Sequence, residues 1–305
     1  MRASDELITV RDLLRYAVSR FTAADLTYGH GTSGPLDEAA FLILEGLRLP
    51  VDDINPWLDA RLTLAEREKL VGLFEARMET RKPAPYLVGK AYIQGIPFRV
   101  DERVIIPRSF IAELLLGDQL GPSALGLVPE PDAIGSVLDL CTGSGCLAII
   151  AAMCFPDAEV DAIDLSPDAL DVARMNLADH GMDDRIRLLQ GDLFAPAGDR
   201  RYDLIITNPP YVAAGEVEAF APEHASEPRM AHIGGEDGLD LVRRIIATAG
   251  RHLMPDGGLI CEIGTGQAFL EADYPDLPFV WLDTAESEGE VFWLSATALQ
   301  HFSND

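Results

Sequence analysis

Apolar positions in the first 85 residues recur at helical spacing. Leu7, Val10, Leu13, Leu14 and Ala17 follow i, i+3, i+4 intervals, and Leu62, Leu64, Leu70 and Leu73 do so less regularly. Asp37 and Thr63 stand where N-caps are expected, and Pro50, Pro56 and Pro83 act as breakers. The pattern predicts a small helical bundle. Between Tyr86 and Ile106 the period changes: β-branched and aromatic residues flank a turn at Gly95, which predicts a hairpin. Residues 117–135, rich in Gly, Pro and Leu, read as a surface loop.

Beyond residue 135, short apolar runs alternate with amphipathic stretches. Strands are expected at 136–141, 159–166, 185–192, 202–208 and 258–264, with two more in FVWLDT and VFWLSA. Helices are expected over 146–154, from Pro167 through Leu177, and over 238–253, this last ending near Pro255 before a Gly257–Gly258 turn. Such alternation implies a parallel α/β sheet covered on both faces, its last two strands closing as an antiparallel hairpin. The expected division is a helical domain at 1–85, a hairpin connector at 86–116 and an α/β domain at 117–305.

Composition narrows the setting. Hydrophobic residues at 48% and charged ones at 24% are globular values. There is no uncharged apolar run of about 18 residues to span a membrane. The amphipathic start, with Asp5, Glu6 and Asp12, lacks the basic and apolar segments of a signal peptide, so a cytoplasmic protein is expected. Cys141, Cys146, Cys154 and Cys261 have no CxxC spacing and no histidine close by. They read as reduced, buried thiols, with no metal expected. The net charge of -26 repels phosphate backbones and attracts basic partners, although acidity also serves solubility alone. A basic protein partner is therefore favoured over nucleic acid.

The chemistry gathers at strand ends. Asp139-Leu-Cys-Thr-Gly143-Ser-Gly145 lies between a strand and a helix, where glycines let the backbone turn tightly and approach a ligand. Cys141 and Ala148 break the phosphate-binding GxGxxG spacing. Asp164, 19 residues after Gly145, ends the next strand, where an acid can accept both hydroxyls of a ribose. Asp192 ends the third, where it can accept an amino hydrogen of an adenine. Each acid alone could be a solvated loop residue or a cap. Three on successive strands, beside a turn without the pyrophosphate pattern, suit a nucleoside lacking phosphates.

Asn208-Pro209-Pro210-Tyr211 ends the fourth strand. An amide nitrogen is a poor nucleophile because its lone pair is delocalised into the carbonyl. Asn208 Oδ1 and the Pro209 carbonyl can accept both of its hydrogens and hold it in line with a methyl donor. The prolines stiffen the loop, and Tyr211 can stack on a planar group. Alone, the tetrapeptide would read as a proline-stabilised turn; its place after a buried strand gives it weight.

These residues resemble the class I (Rossmann-like) methyltransferases and, within them, the HemK-like protein glutamine N5-methyltransferases. The likeness runs through VLDLCTGSGCLAI, AIDLS, QGDLF, YDLIITNPPYV, GGEDGLDLVRRII and CEIG, and extends to the helical N-terminal region and hairpin. It implies a seven-stranded sheet and S-adenosyl-L-methionine as methyl donor. It also implies a helical domain that helps bind a protein substrate. Cofactor contacts are implied for Asp139, Cys141, Thr142, Gly143, Gly145, Asp164, Leu165, Asp192, Leu193 and Asn208, and acceptor orientation for Asn208 to Tyr211. The segment Val104-Ile-Ile-Pro-Arg108-Ser109 looks like the branch that methylates ribosomal protein L-three, although Phe110 stands where that branch commonly has proline. A release-factor glutamine is the close alternative. Adenine N6 methylation and a non-catalytic ribosome-assembly role are remoter ones.

Other polar residues have plainer expectations. Glu223, His224 and Glu227, between Pro222 and Pro228, read as part of a substrate-covering loop and not as an acid–base cluster. Trp281 and Trp293 read as core, Glu262 as a strand-end cap or pair, and Arg108 as a salt-bridged orienter of the connector.

Overall fold

Reciprocal caps start two helices of the N-terminal region. Thr9 and Thr63 each accept a backbone N–H from a residue three positions on, Asp12 or Glu66, whose carboxylate reaches back to the cap. The computed structural model describes residues 3–302. It comprises two units. One is the chain up to Ala91 with Val100–Glu102 and Phe220–Ser226; the other is Tyr92–Arg99, Arg103–Ala219 and the chain from Glu227 onward.

The first unit holds α1 (Ala3–Glu6), α2 (Val10–Ala23), α3 (Pro35–Leu47), α4 (Leu64–Thr80) and α5 (Ala84–Val88). Val10, Leu13, Ala17 and Phe21 of α2 pack with Leu42, Ile43, Leu70 and Phe74, and the Phe21 and Phe74 rings meet edge-on at 5.8 Å. Asp37 is not the N-cap of α3. Gly34 holds that place because Pro35, with its preset φ, occupies the first turn; Asp37 instead accepts from the Ser33 N–H at 2.8 Å. Leu64 faces solvent, because the chain enters α4 there through its cap.

An ion cluster lies inside this unit. Arg77, wholly buried, donates through Nε to Glu38 Oε1 at 2.7 Å and through Nη2 to the Thr27 carbonyl at 2.9 Å. Glu223 accepts from the Thr27 N–H and pairs with Arg81 at 2.6 Å and Arg77 at 3.6 Å. Burial pushes the Glu38 carboxyl up despite Arg77. Burial also raises Glu223, but the Thr27 N–H and the two arginines outweigh it, leaving that carboxyl lowered.

The chain passes into the second unit within β1 (Lys90–Ile93), after Ala91, and β1 pairs with β2 (Ile96–Arg99). Gln94 and Gly95 both have left-handed φ (48° and 77°), as a two-residue hairpin turn requires. Then follow α6 (Phe110–Leu116), β3 (Ser136–Leu140), α7 (Cys146–Cys154), β4 (Glu159–Asp164), α8 (Pro167–His180), β5 (Ile186–Gln190) and β6 (Tyr202–Thr207). The remainder is α9 (Ala214–Val217), α10 (Asp240–Ala249), β7 (Leu253–Glu262), α11 (Gln267–Asp273), β8 (Val280–Leu282), β9 (Val291–Ser295) and α12 (Ala296–Phe302). The seven-stranded sheet has the order β5-β4-β3-β6-β7-β9-β8. Strands β3 to β7 are parallel, while β9 runs antiparallel to β7 and β8. Val137, Val160, Leu204 and Ile260 face a core with α7; Leu138, Leu140, Ile205 and Leu259 face one with Val242, Ile245 and Ile246 of α10.

One local expectation fails. α10 stops at Ala249, and the strand after it starts at Leu253, so Pro255 and the Gly257–Gly258 pair lie within β7. Its pairing to β6 slips between Tyr202↔Leu253 and Leu204↔Gly258, a bulge that accommodates the proline. The glycines serve close packing: a Cβ on Gly257 would sit 2.6 Å from the Asp203 carbonyl oxygen, and one on Gly258 2.1 Å from the Trp293 ring. Trp293 is buried core, whereas Trp281 is half-buried; all four cysteines are free, Cys146 and Cys261 buried but Cys141 and Cys154 only half-buried, and burial pushes Cys146 up to about 12. Among the described residues no helix is long and apolar enough to cross a membrane.

Charge is distributed unevenly. Residues 1–91 carry 12 Lys and Arg against 14 Asp and Glu, whereas residues 92–305 carry 12 against 36. Nearly all the net negative charge belongs to the sheet-bearing part of the chain.

Candidate active site at the strand ends

Strand order reverses between β3 and β6, so the carboxyl ends of these strands flank a crevice. Asp139, near the end of β3, is fully buried. Its Oδ2 accepts from the Thr142 hydroxyl at 2.5 Å and the Ala148 N–H at 3.0 Å, while Oδ1 has no hydrogen-bond partner among the described residues. Burial pushes its carboxyl up to about 7. Cys141, Gly143 and Gly145 all have positive φ, at 58°, 55° and 79°. For Cys141 this conformation costs about 1–2 kcal/mol, the kind of strain that collects at functional sites. Gly143 has open space where a Cβ would project, leaving its backbone accessible. Gly145 instead permits helix packing, since a Cβ there would lie 3.2 Å from Ala173.

Asp164 closes the loop from the other side. Its Oδ2 accepts from the Gly143 N–H and its Oδ1 from the Ser166 N–H, both at 2.8 Å, and burial raises its carboxyl. Each oxygen retains a lone pair for a further donor. Asp192 is half exposed and binds Arg244 through Oδ2 at 2.7 Å. Leu193, beside it, is buried with φ 46°.

Asn208 donates through Nδ2 to the Arg108 carbonyl at 3.2 Å, so Oδ1 is the acceptor the amide has to offer. Arg108 forks onto Glu227 at 2.9 and 3.1 Å, and Glu227 also accepts the Ile106 N–H. The expected salt-bridged orienter is thus Arg108 with a buried carboxylate, the bidentate geometry that guanidinium favours. Glu223 and Glu227 take different partners: Glu223 pairs with Arg77 and Arg81, and Glu227 pairs with Arg108 and with His232 Nε2 at 3.1 Å. The loop after Asn208 is packed by backbone. Val212 N–H donates to the His232 carbonyl and Gly234 N–H to the Val212 carbonyl. A Cβ on Gly234 would meet Pro210 O at 2.5 Å, and one on Gly238 would meet Tyr211 O at 2.3 Å. Gly234 and Gly238 of the GGEDG segment serve this contact, whereas Gly235 has a left-handed φ of 113° and packs against Asp240.

Of the residues expected from the sequence, Cys141, Gly143, Asp164, Leu165, Asp192, Leu193, Asn208 and Pro210 line one cleft. Asp139 lies buried at the end of β3, and Thr142 and Gly145 shape the loop. Pro209 and Tyr211 do not line the cleft; the Tyr211 hydroxyl donates to Glu262 at 3.3 Å, and burial raises its pKa. Sequence reading missed Arg103, Val104, Ile105, Met230 and Leu241, which also line it. By pattern, Val104 and Ile105 belong to the end of the hairpin region. The lining combines two carboxylates, one guanidinium and apolar walls from Ile163, Leu165, Ala169 and Met230, a donor set suited to a nucleoside bearing an amino acid and no phosphate.

Two buried carboxyls make stability depend on pH. Asp139 and Glu262 each rise to about 7 from the ordinary carboxyl value near 4. The folded chain therefore binds these protons more tightly than the unfolded chain, and stability falls as pH rises from about 4 to about 7, then levels off. Between pH 5 and 7.5, without added ligand, each group should account for a loss on the order of 3 kcal/mol. Urea titrations across that range should show this loss reduced in Asp139→Asn and Glu262→Gln; equal slopes in wild type and variants would contradict it.

Residues 124–224 match the family described as the methyltransferase small domain. The ribosomal protein uL3 glutamine methyltransferase of Bradyrhizobium diazoefficiens is 56% identical over 96% of this chain and 92% of its own length. That of Burkholderia pseudomallei is 51% identical over 95% of each. That of Neisseria meningitidis serogroup B is 49% identical over 98% of this chain and 96% of its own. Among solved structures, the hMettl16 catalytic domain gives a TM-score of 0.50 at 14% identity, over 76% of this chain and 81% of that one, a likeness of fold.

Proposed function

The chain belongs to the ribosomal protein uL3 glutamine methyltransferases, and on that premise we propose that it methylates the side-chain amide nitrogen (N5) of a glutamine in ribosomal protein uL3, using S-adenosyl-L-methionine, in the cytoplasm. The observation that carries this reading is Asn208: it lines the cleft, and its Nδ2 donates one hydrogen to the Arg108 carbonyl, which fixes the orientation of an amide whose Oδ1 is the acceptor it can offer to an amide hydrogen. Cys141, Gly143, Asp164, Leu165, Asp192 and Leu193 would hold the cofactor, with Asp164 on the ribose and Asp192 on the adenine. Asp139 supports this loop from beneath, with Thr142 and Gly145. The bound cofactor supplies a methyl group already activated by its sulfonium.

The chain's own work is alignment. Asn208 Oδ1 and the Pro209 carbonyl take the two amide hydrogens, turning the nitrogen lone pair toward the methyl carbon. Methyl transfer from the bound donor would leave that nitrogen with one proton in surplus, which would pass to water. No tuned base is required. Residues 1–85 serve recognition of the protein acceptor, residues 86–116 connect, and residues 117–305 carry the transfer.

Labelled-methyl transfer to purified uL3, a release factor and DNA, run side by side, tests this. Label on uL3 is expected. Label on the release factor alone would move the substrate to that glutamine, and label on DNA alone would replace amide chemistry with adenine chemistry. The acidity of residues 92–305 adds a prediction: raising salt from 50 to 500 mM should raise KM for basic uL3 about tenfold, with cofactor affinity nearly constant. A flat KM would remove electrostatic attraction from the account.

A further inference from the structure

Glu262 ends β7 as one of the most deeply buried carboxyls in the second unit, 1% exposed, and the transfer chemistry described above gives it no task. Its oxygens join two parts of the site. Oε2 accepts the Ser109 hydroxyl at 2.7 Å and the Phe110 N–H at 3.0 Å. Oε1 accepts the Tyr211 hydroxyl at 3.3 Å. The Tyr211 ring lies against Gly264, where a Cβ would come within 2.9 Å of Cε2. Tyr211 is therefore wedged between residues 262 and 264, and its hydroxyl and ring are both engaged within the protein.

The strand of chain from Ile106 to Phe110 completes the arrangement. At one end Glu227 holds the Ile106 N–H and the Arg108 guanidinium, and the Arg108 carbonyl holds the Asn208 amide. At the other end Glu262 holds Ser109 and Phe110. The Phe110 N–H bond is one that a proline at that position would lack. Asn208 and Tyr211, the two ends of the Asn-Pro-Pro-Tyr loop, are thus tied to one five-residue strap through two buried carboxyl groups.

We propose that Glu262 is a positioning residue for the acceptor-amide site: it acts through Tyr211, a brace of the Asn-Pro-Pro-Tyr loop, and through the Ile106–Phe110 strap, to hold Asn208 Oδ1 and the Pro209 carbonyl in register with the amide. This rests on the amide-methylation reading above. The chemistry demands tight placement, because a misplacement of about 1 Å in a site that works by alignment can cost on the order of 10²-fold. Glu262 touches no reacting atom; its contribution is geometric and should appear in kcat.

The test is steady-state methyl transfer to uL3 by wild type, Glu262→Ala, Glu262→Gln, Tyr211→Phe, Ser109→Ala and the Tyr211→Phe/Glu262→Ala double variant, with cofactor affinity measured by calorimetry. Glu262→Ala should lower kcat about 30-fold and leave KM for uL3 and cofactor affinity within about threefold. Glu262→Gln retains an acceptor for Ser109 and Phe110 and offers an N–H to Tyr211, so it should recover most of the loss. Tyr211→Phe should lower kcat several-fold, and adding it to Glu262→Ala should cost little more, since both cut the same link. Should Glu262→Ala fail to fold, Tyr211→Phe and Ser109→Ala, each a loss of one hydroxyl, must still lower kcat and spare cofactor affinity. Independent, multiplicative losses, or an unchanged kcat in Glu262→Ala, would overturn the inference while leaving the function intact. A wild-type protein that binds cofactor but transfers nothing to uL3 would overturn the function itself, and this inference with it.

Discussion

Asn208→Ala is expected to lower methyl transfer to uL3 by about 10²–10³-fold, the loss typical of removing one aligned polar group from a preorganised site. Cofactor affinity should change by less than about tenfold, because Asp164 and the Gly143 backbone, on the other side of the cleft, are left in place. The physical reason lies in the nucleophile. A glutamine amide nitrogen reacts only when its lone pair is turned out of conjugation and toward the methyl, and a lost acceptor removes that constraint. Asn208→Asp separates the two jobs of the side chain. It keeps an acceptor but loses the N–H that Arg108 accepts, setting a carboxylate against a carbonyl, so it should be impaired nearly as much. Transfer by Asn208→Ala within threefold of wild type would sink the proposed mechanism.

The largest effect on stability is expected in the helical unit. Arg77→Met should destabilise the protein by about 3–5 kcal/mol, because Glu38 stays buried without its cation. Glu223 keeps Arg81 at 2.6 Å and should matter less. The double variant Arg77→Met/Glu38→Gln removes both charges and should regain at least half of the loss. Urea unfolding followed by far-ultraviolet circular dichroism measures both; a single variant within about 1 kcal/mol of wild type would show that the charges are not isolated from water. Because Glu223 belongs to the helical unit while the residues on either side of 220–226 belong to the other, this cluster also fixes a segment that follows the Asn-Pro-Pro-Tyr loop in sequence.

The elements of the sheet were legible because their signals are local. Apolar runs such as Val137–Leu138 and Leu204–Ile206 mark strands buried on both faces, and Ser166-Pro167 marks a helix start whatever surrounds it. Asp37 and Gly257–Gly258 misled for a related reason. Each residue type has two common uses, capping or reaching back for the acid, turning or close packing for the glycines. The choice lay with Pro35 in one case and with Tyr202, Asp203 and Trp293 in the other.

The site divides along the same line. Sequence alone determined which chemical groups end the strands, since Asp139, Asp164, Asp192 and Asn208 follow apolar runs whose ends can be counted, and strand ends in such a sheet face one crevice. It also determined the acidity that suits a basic partner. The tertiary structure alone decided how those groups are held. Glu227 reaches Arg108 across 119 positions, Glu262 reaches Ser109 across 153, and Arg77 meets Glu223 only after the chain has passed through most of the sheet. Such bonds leave no periodicity in the sequence. They depend on strand order and on burial, which exclude water and so make each pairing obligatory, and both come into being only when the whole chain has folded.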